Sequence, residues 1–262
     1  MNNIPRFSYL QDKQKAYTYF RENGCVVFRD LVSRTSVESL RCSVTEIIDQ
    51  QVLKHLGHHR TLVEGNGFDR GLLELSKHND LLRRRVYDVI QELVSLRSHA
   101  VDPILVQVAR DLGTKIPLLR AAQFRMDFPA DDRFLIPPHQ EIRGIRSKNL
   151  IFFITALVDI PAEKGALNVA LGSHKLGPLT PVATETAAYQ FLPAELYERE
   201  YPLQPTPLKT GDTLVLQMYT IHGSAHNTTG ETRWQTIVRY EDAANMGFID
   251  GDDSYLNFDI KG

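Results

Sequence analysis

The spacing of apolar residues changes period roughly halfway along the chain. Up to about residue 117 it is helical: Val37, Leu40, Val44, Ile47 and Ile48 fall on one face of a helix beginning at Ser36, and another helix is predicted over residues 12–22, stopped by Asn23-Gly24. Residues 25–28 read as a short apolar strand, and two further helices are predicted through residues 81–96 and 102–113. From Leu118 onward the period shortens. AAQFRMDF, LIFFITALVDI, LNVAL, TLVLQMY and WQTIVRY are strand candidates, separated by Pro, Gly and Asp. The pattern predicts a mainly β protein with N-terminal helices wrapped around a barrel or sandwich. With no repeat and no Pro/Gly-rich linker, one domain over 1–262 is expected: 1–117 mostly helical support, 118–245 the β core, 246–262 a C-terminal tail.

Candidate chemistry starts at PPHQEIRG, where His139 and Glu141 sit two apart after a proline-bounded extended segment, and His222 follows 83 residues later. Two imidazoles and one carboxylate form a facial triad that suits Fe(II) and leaves coordination positions open for a co-substrate and dioxygen. The alternation of Leu214, Leu216 and Met218 predicts a strand with His222 at its end. Arg233, eleven residues on, opens a second alternating strand (Trp234, Thr236, Val238, Tyr240) after a Thr-Thr-Gly turn, so a hairpin is expected to carry a cation close to a metal ligand. A guanidinium inside a barrel needs an anion to offset its desolvation and binds one bidentately. A dicarboxylate chelating the metal at one end fits it at the other.

Together these residues resemble the phytanoyl-CoA dioxygenase-like family of Fe(II)/2-oxoglutarate oxygenases. FRENGCVVFRDLVS is similar to that family's opening helix, turn and strand. HQE stands where the family usually has HQD, GALNVALGSHKLG is similar to its GSHK turn, and HGSAHNTTGETR to its distal ligand and oxoglutarate-binding stretch. The resemblance implies a double-stranded β-helix (jelly-roll, cupin-like) and an enzyme using Fe(II), 2-oxoglutarate and O2. His139, Glu141 and His222 would hold the metal, and Arg233, helped by Ser224, the far carboxylate of 2-oxoglutarate. Hydroxylation of an unactivated C–H, with release of succinate and CO2, is the expected reaction. Glu141 is one methylene longer than the usual Asp, and as a carboxylate it fills the position that related halogenases open to chloride.

Composition narrows the setting. Of 262 residues, 42% are hydrophobic, enough for a full core; 30 basic against 32 acidic residues, in no long block of either sign, indicate neither nucleic acid nor a polybasic membrane anchor as partner. The polar start without an apolar segment, and the lack of any run long enough to span a membrane, lead to a cytoplasmic location as the expectation. Small molecules are the expected partners. Cys25 and Cys42 are expected to be reduced and buried.

Gln123, Arg125 and Asp127 alternate along the strand before HQE and share a face, so they are the candidate substrate wall together with the loop 142–149. An amide, a cation and an anion in one stripe suit a small polar or zwitterionic metabolite better than a long acyl chain. Plainer readings stand beside these. His139 also fits a turn next to Pro137-Pro138, Arg233 a surface pair with Glu231, and the stripe a solvent-facing edge. His174 in the GSHK turn reads as a loop residue, His226 as lining an entrance, and His55, His58, His59, His78 and His99 as surface or capping residues. An inactive barrel that only binds, and an oxygenase of acyl thioesters, remain alternatives.

Overall fold

The computed structural model describes residues 4–59, 67–142, 144–182 and 191–246. Among the described residues, six helices precede most of the sheet: α1 (Lys13–Asn23), α2 (Arg34–Leu56), α3 (Arg70–His78), α4 (Asp80–Ile90), α5 (Val94–Ala100) and α6 (Pro103–Asp111). The strands are β1 (Arg6–Phe7), β2 (Cys25–Phe28), β3 (Pro117–Asp127), β4 (Leu150–Ala156), β5 (Asn168–Ala170), β6 (Leu203–Pro205), β7 (Thr213–Gln217), β8 (His222–Gly223) and β9 (Arg233–Asp242). Nearly all the tail expected over 246–262 lies outside the described residues.

Local chemistry accounts for the helix ends. Gly24 takes the left-handed conformation (φ 72°) that closes α1, and the Ser33 hydroxyl accepts from the Ser36 amide at the start of α2. The α2 face read from periodicity is the buried one, carrying Val37, Leu40, Val44, Ile48 and Val52. The helix expected over 81–96 is broken into α4 and α5, and the break has a use. β3 is an edge strand, and the side-chain amide of Gln91 satisfies both outward backbone groups of Phe124, accepting from its N–H (2.9 Å) and donating to its carbonyl (3.2 Å). α3 was not expected from the apolar pattern, and Cys42 is exposed on α2 rather than buried, because its neighbours one turn away are Glu38, Ser39, Thr45 and Glu46, which place it on the polar face. Cys25 is buried, as expected, and burial pushes its thiol up to about 12, which keeps it protonated.

The strands form a six-stranded sheet in the order β1-β2-β7-β4-β9-β3 and a three-stranded sheet in the order β6-β5-β8. β2, from the part of the chain expected to be helical support, therefore belongs to the main sheet, antiparallel to β7. The helices cover one face of that sheet. Trp234 donates to Asp69 (2.8 Å), the Tyr240 hydroxyl to the Ala100 carbonyl (2.5 Å), and Tyr87 to the Phe124 carbonyl (3.0 Å). The other face looks across a cavity to the three-stranded sheet, the arrangement of a double-stranded β-helix; among the described residues the two sheets do not close into a barrel.

One expectation about the strands is corrected. β7 ends at Gln217, and the chain turns at Thr220, whose amide reaches the Gln217 carbonyl (2.9 Å), before His222 opens β8 in the other sheet. His222 thus does not end the strand of Leu214 and Leu216, and β8 and β9 are not a hairpin, because β8 pairs with β5 and β9 with β3 and β4. The alternation continues past the point where the chain changes sheets.

Candidate active site

His139 and His222 are directly opposite one another in an antiparallel bridge, with each amide bonded to the other's carbonyl (2.9 and 3.1 Å). Their rings lie 4.3 Å apart. The alternation of an extended segment then puts Glu141 on the same side as His139 and turns Gln140 away, where its amide donates to the Gly177 and Tyr219 carbonyls (2.8 Å each) and accepts from the Leu179 amide (2.8 Å). One ligand atom from each of His139, Glu141 and His222 lies within 4.8 Å of the others. The Glu141 amide is tied to the Met218 carbonyl (2.9 Å), so both triad segments are fastened to the same turn.

The protonation chemistry fits a divalent metal. Nδ1 of His139 donates to the Pro137 carbonyl (2.8 Å) and Nδ1 of His222 to that of Thr220 (2.9 Å), leaving both Nε2 lone pairs for a ligand. Burial lowers both imidazoles, His222 to about 3, so they are neutral. For Glu141, burial alone would raise the pKa, but the charge of the Arg239 guanidinium beside it outweighs burial and keeps the carboxylate ionised. Arg239 donates to Glu141 Oε2 (3.1 Å). Neutral nitrogen donors and an anionic oxygen are the set that Fe(II) takes, and the extra methylene of Glu141 does not carry it out of reach of the imidazoles.

Backbone packing supports the triad. A Cβ at Gly223 would meet the Pro138 nitrogen at 3.0 Å, so a glycine after His222 lets the Pro137-Pro138 backbone lie against β8 without a shift of a few tenths of an ångström. The GSHK turn braces the same segment, since Ser173 Oγ accepts from the Ile221 amide (2.8 Å). His174 lies outside the triad, against the Arg21 carbonyl (3.1 Å), and the exposed His226 pairs with Asp132 (2.8 Å). His99, expected at the surface, is buried against Thr236 Oγ1 (2.8 Å), because it lies one turn from the buried Leu96 and on the side of α5 away from Arg97.

Arg233 opens β9 and shares the cavity with the triad. It is 1% exposed and does not pair with Glu231, which is bound by Lys164 instead. Its Nε and Nη2 donate to Asp127 Oδ2 (3.1 and 2.5 Å), and Nη1 donates to the Gly165 carbonyl. Of the five guanidinium donors, two are left by the described partners, enough for one more carboxylate. Gly165, at φ 75°, has room for no Cβ against the Ala225 carbonyl (2.7 Å).

The cavity is lined by Gln123, Arg125, His139, Glu141, His222, Ser224, Arg233, Gln235 and Arg239, with Phe152, Ile154, Leu167 and Ile237 among its apolar walls. Gln123 and Arg125 therefore face the triad. Asp127 is placed differently from its two companions: it lies opposite Arg233 in the β3–β9 register, and Arg125 grips it from the other side (2.7 and 3.1 Å). Burial would raise its pKa, but the two guanidiniums hold it below the ordinary carboxylate range. Ser224 accepts from the Ile136 amide (3.1 Å). In the loop 142–149, residue 143 lies outside the described residues, and the rest is tied to the end of β9, Ser147 to the Asp242 carbonyl (3.0 Å) and the Arg146 amide to Glu241 (3.3 Å), rather than lining the cavity.

Sequence reasoning missed Arg239 and Gln235. The signal was present, since they stand six and two residues after Arg233 and share its face by strand alternation.

The fold and site define a mononuclear metal enzyme with two histidines and one carboxylate between facing sheets. A profile of the phytanoyl-CoA dioxygenase (PhyH) family matches residues 20–234, and the chain belongs to that family. It is an oxidoreductase of the dioxygenase type that works with iron and 2-oxoglutarate. Among solved structures it is similar to the epimerase SnoN from nogalamycin biosynthesis in complex with Fe3+, alpha-ketoglutarate and nogalamycin RO (19% identity, TM-score 0.61, 95% of this chain and 91% of that one). It is also similar to the alpha-ketoglutarate-dependent carbocyclase SnoK (19%, 0.61, 96% and 92%) and to EctD from S. alaskensis with bound Fe (16%, 0.58, 91% and 79%). At these identities the likeness is one of fold. No curated protein matches the chain, and among the described residues no helix is long and apolar enough to cross a membrane.

Proposed function

We propose that the protein hydroxylates an unactivated C–H of a small polar metabolite, releasing succinate and CO2, and that residues 1–262 work as one catalytic domain. The observation that carries this reading is the triad itself: three ligand atoms within 4.8 Å, both Nδ1 atoms fastened to backbone carbonyls, and Arg233 in the same cavity. His139, Glu141 and His222 would hold Fe(II), and Arg233 with Ser224 the far carboxylate of 2-oxoglutarate. Iron, 2-oxoglutarate and dioxygen together supply the oxidising chemistry.

The chain's own residues supply placement. The backbone carbonyls of Pro137 and Thr220 fix the imidazole tautomers, and Arg239 keeps Glu141 ionised and oriented. Asp127 holds Arg233 side-on, so the rest of its donors face the cavity, and Phe152, Ile154, Leu167 and Ile237 keep water away. Gln123 and Arg125 are the substrate wall. Three guanidiniums, Arg125, Arg233 and Arg239, stand against the carboxylates of Glu141 and Asp127, and this polar lining favours a polar substrate over an alkyl chain.

Anaerobic reconstitution with Fe(II) and 2-oxoglutarate, followed by a screen for compounds that stimulate succinate formation, tests the proposal. The expected product has gained one oxygen atom. An inverted centre or a new ring without added oxygen would replace hydroxylation by another outcome, and a chlorinated product would show the carboxylate position to be open. Glu141→Asp should keep part of the activity, and Glu141→Ala should lose iron and activity together. Retention of full iron affinity in Glu141→Ala would remove Glu141 from the ligand set.

A further inference from the structure

The chamber holding the triad and Arg233 encloses about 40 Å³, room for a few waters, whereas sites for small organic ligands run to several hundred Å³. A second cavity of about 470 Å³ lies on the far side of Arg125, whose side chain belongs to both walls. α4 forms one side of it, and the other is the end of β3 with the short turn Asp132–Phe134. With the metal and 2-oxoglutarate seated between the triad and Arg233, the iron chamber has no space left for the body of a substrate. Its neighbour does.

The wall of this second cavity is cationic and aromatic. Arg83 is held by both oxygens of Asp80 (2.7 and 3.0 Å), Arg133 by Asp131 (2.7 and 2.6 Å), and Arg125 by Asp127 and the Phe134 carbonyl (2.7 Å). Arg84 is different: it lines the cavity from an exposed position on α4 and has no hydrogen-bond or ion-pair partner among the described residues. Phe134 is 47% exposed, an uncommon position for a phenyl ring, and two guanidiniums lie over it, Arg83 at 5.7 Å and Arg133 at 5.6 Å. Tyr87 is fixed by its bond to the Phe124 carbonyl. A fixed aromatic platform beside an unpaired guanidinium suits a flat apolar group carrying an anionic oxygen group. The carboxylate of Asp88 shares the wall one turn beyond Arg84 and penalises a dianion more than a monoanion.

We propose that this cavity holds the non-reacting part of the substrate, and that the substrate is a small carboxylate with a flat apolar portion: the carboxylate pairs with Arg84, the flat portion lies on Phe134 and Tyr87, and Arg125 is the specificity residue between this cavity and the iron chamber. The inference rests on the oxygenase reading above and adds its substrate class and entrance. Remote binding of this kind orients a particular C–H toward the metal end past Arg125.

Equilibrium dialysis of the anaerobic enzyme loaded with Fe(II) and 2-oxoglutarate tests it with three probes: 3-phenylpropanoate, its neutral amide and phenyl phosphate. The expected result is binding of the carboxylate in the millimolar range, with the amide and the phosphate each weaker. Arg84→Gln, at an exposed helix position, should weaken the carboxylate about tenfold, the worth of one charged hydrogen bond, and leave the amide unchanged. Phe134→Ala should weaken acid and amide alike. Equal binding of acid and amide, an unchanged acid affinity in Arg84→Gln, or no binding of any probe to the parent would overturn the proposal, and preference for the phosphate would overturn the carboxylate. Calorimetry of 2-oxoglutarate on the same parent protein separates the two readings. If 2-oxoglutarate does not bind, the oxygenase reading fails; if it binds while the probes do not discriminate, only the cavity assignment fails.

Discussion

The two faces of β9 are about equally buried and have opposite uses. On one, Trp234, Thr236, Val238 and Tyr240 pack against the helices, and each polar atom has one local partner: Asp69, His99 and the Ala100 carbonyl in turn. On the other, Arg233, Gln235, Ile237 and Arg239 look into the metal cavity, where guanidiniums outnumber carboxylates. Burial alone therefore does not tell core from site. What separates them is whether the buried polar groups are balanced within the chain or call for something from outside.

The sharpest way to break the comparison is at the metal end of the cavity face. His139→Ala, Glu141→Ala or His222→Ala should each abolish iron binding, measured by metal analysis after dialysis, while the fold survives because no packed apolar volume is lost. If any one of the three kept stoichiometric iron, that residue would leave the ligand set. On the helix-packed face the expected effect is on stability instead. Trp234→Ala removes a fully buried indole packed at a tilt against Phe68 and edge-on against Phe124, together with its hydrogen bond to Asp69, and should cost about 3–5 kcal/mol in denaturant unfolding. A loss below about 1 kcal/mol would mean that this face is not the core.

A smaller effect is expected at the far end of the cavity. Arg233→Ala should weaken 2-oxoglutarate about a hundredfold, from two charge-assisted hydrogen bonds, with iron still bound. Lys at this position should restore only part of the affinity, since it lacks the fork. An unchanged 2-oxoglutarate affinity would free Arg233 from that role.

The smallest effect is a pH slope. Burial lowers His99 to about 4, so between its ordinary value of 6.5 and about 4 the unfolded chain binds a proton that the folded one refuses. Stability is then fully present above about pH 6.5 and falls as the pH drops toward 4, by at most about 1.4 kcal/mol per pH unit from this group. His99→Gln should flatten that slope in unfolding titrations of the metal-free protein. His222 has the same sign and extends to about 3, so the loss that remains in His99→Gln includes the cavity face.

Much of this was legible without coordinates. β2 lies at the residues that the apolar run marks, α1 begins and ends within one residue of its expected bounds, α2 begins two residues before Ser36 because Ser33 caps it, and β4, β5 and β7 fall within the strand-like runs while β9 overruns WQTIVRY at both ends. Period and caps are local properties, so a local pattern carries them. Gln91 shows where that stops. Its helix breaks to serve an edge strand 33 residues away, a demand that no window around residues 81–96 contains. Arg239 was legible in principle, by counting alternate positions from Arg233, but its neighbours Val238 and Tyr240 carry the apolar signal and draw the eye to the other face.

By itself, then, the sequence determined which residues have the chemistry, the order in which they occur, and which of them alternate together along a strand, because these follow from side-chain identity and backbone period. Only the tertiary structure decided that β7 and β8 part into different sheets so that His222 meets His139, that Asp127 sits opposite Arg233 and is consumed by it rather than offered to a substrate, and that Arg125 stands between two cavities. Strand alternation states that one face differs from the other. Which face meets the opposing sheet is settled by pairings between residues 83 and 106 positions apart, and by the whole core that those pairings bury.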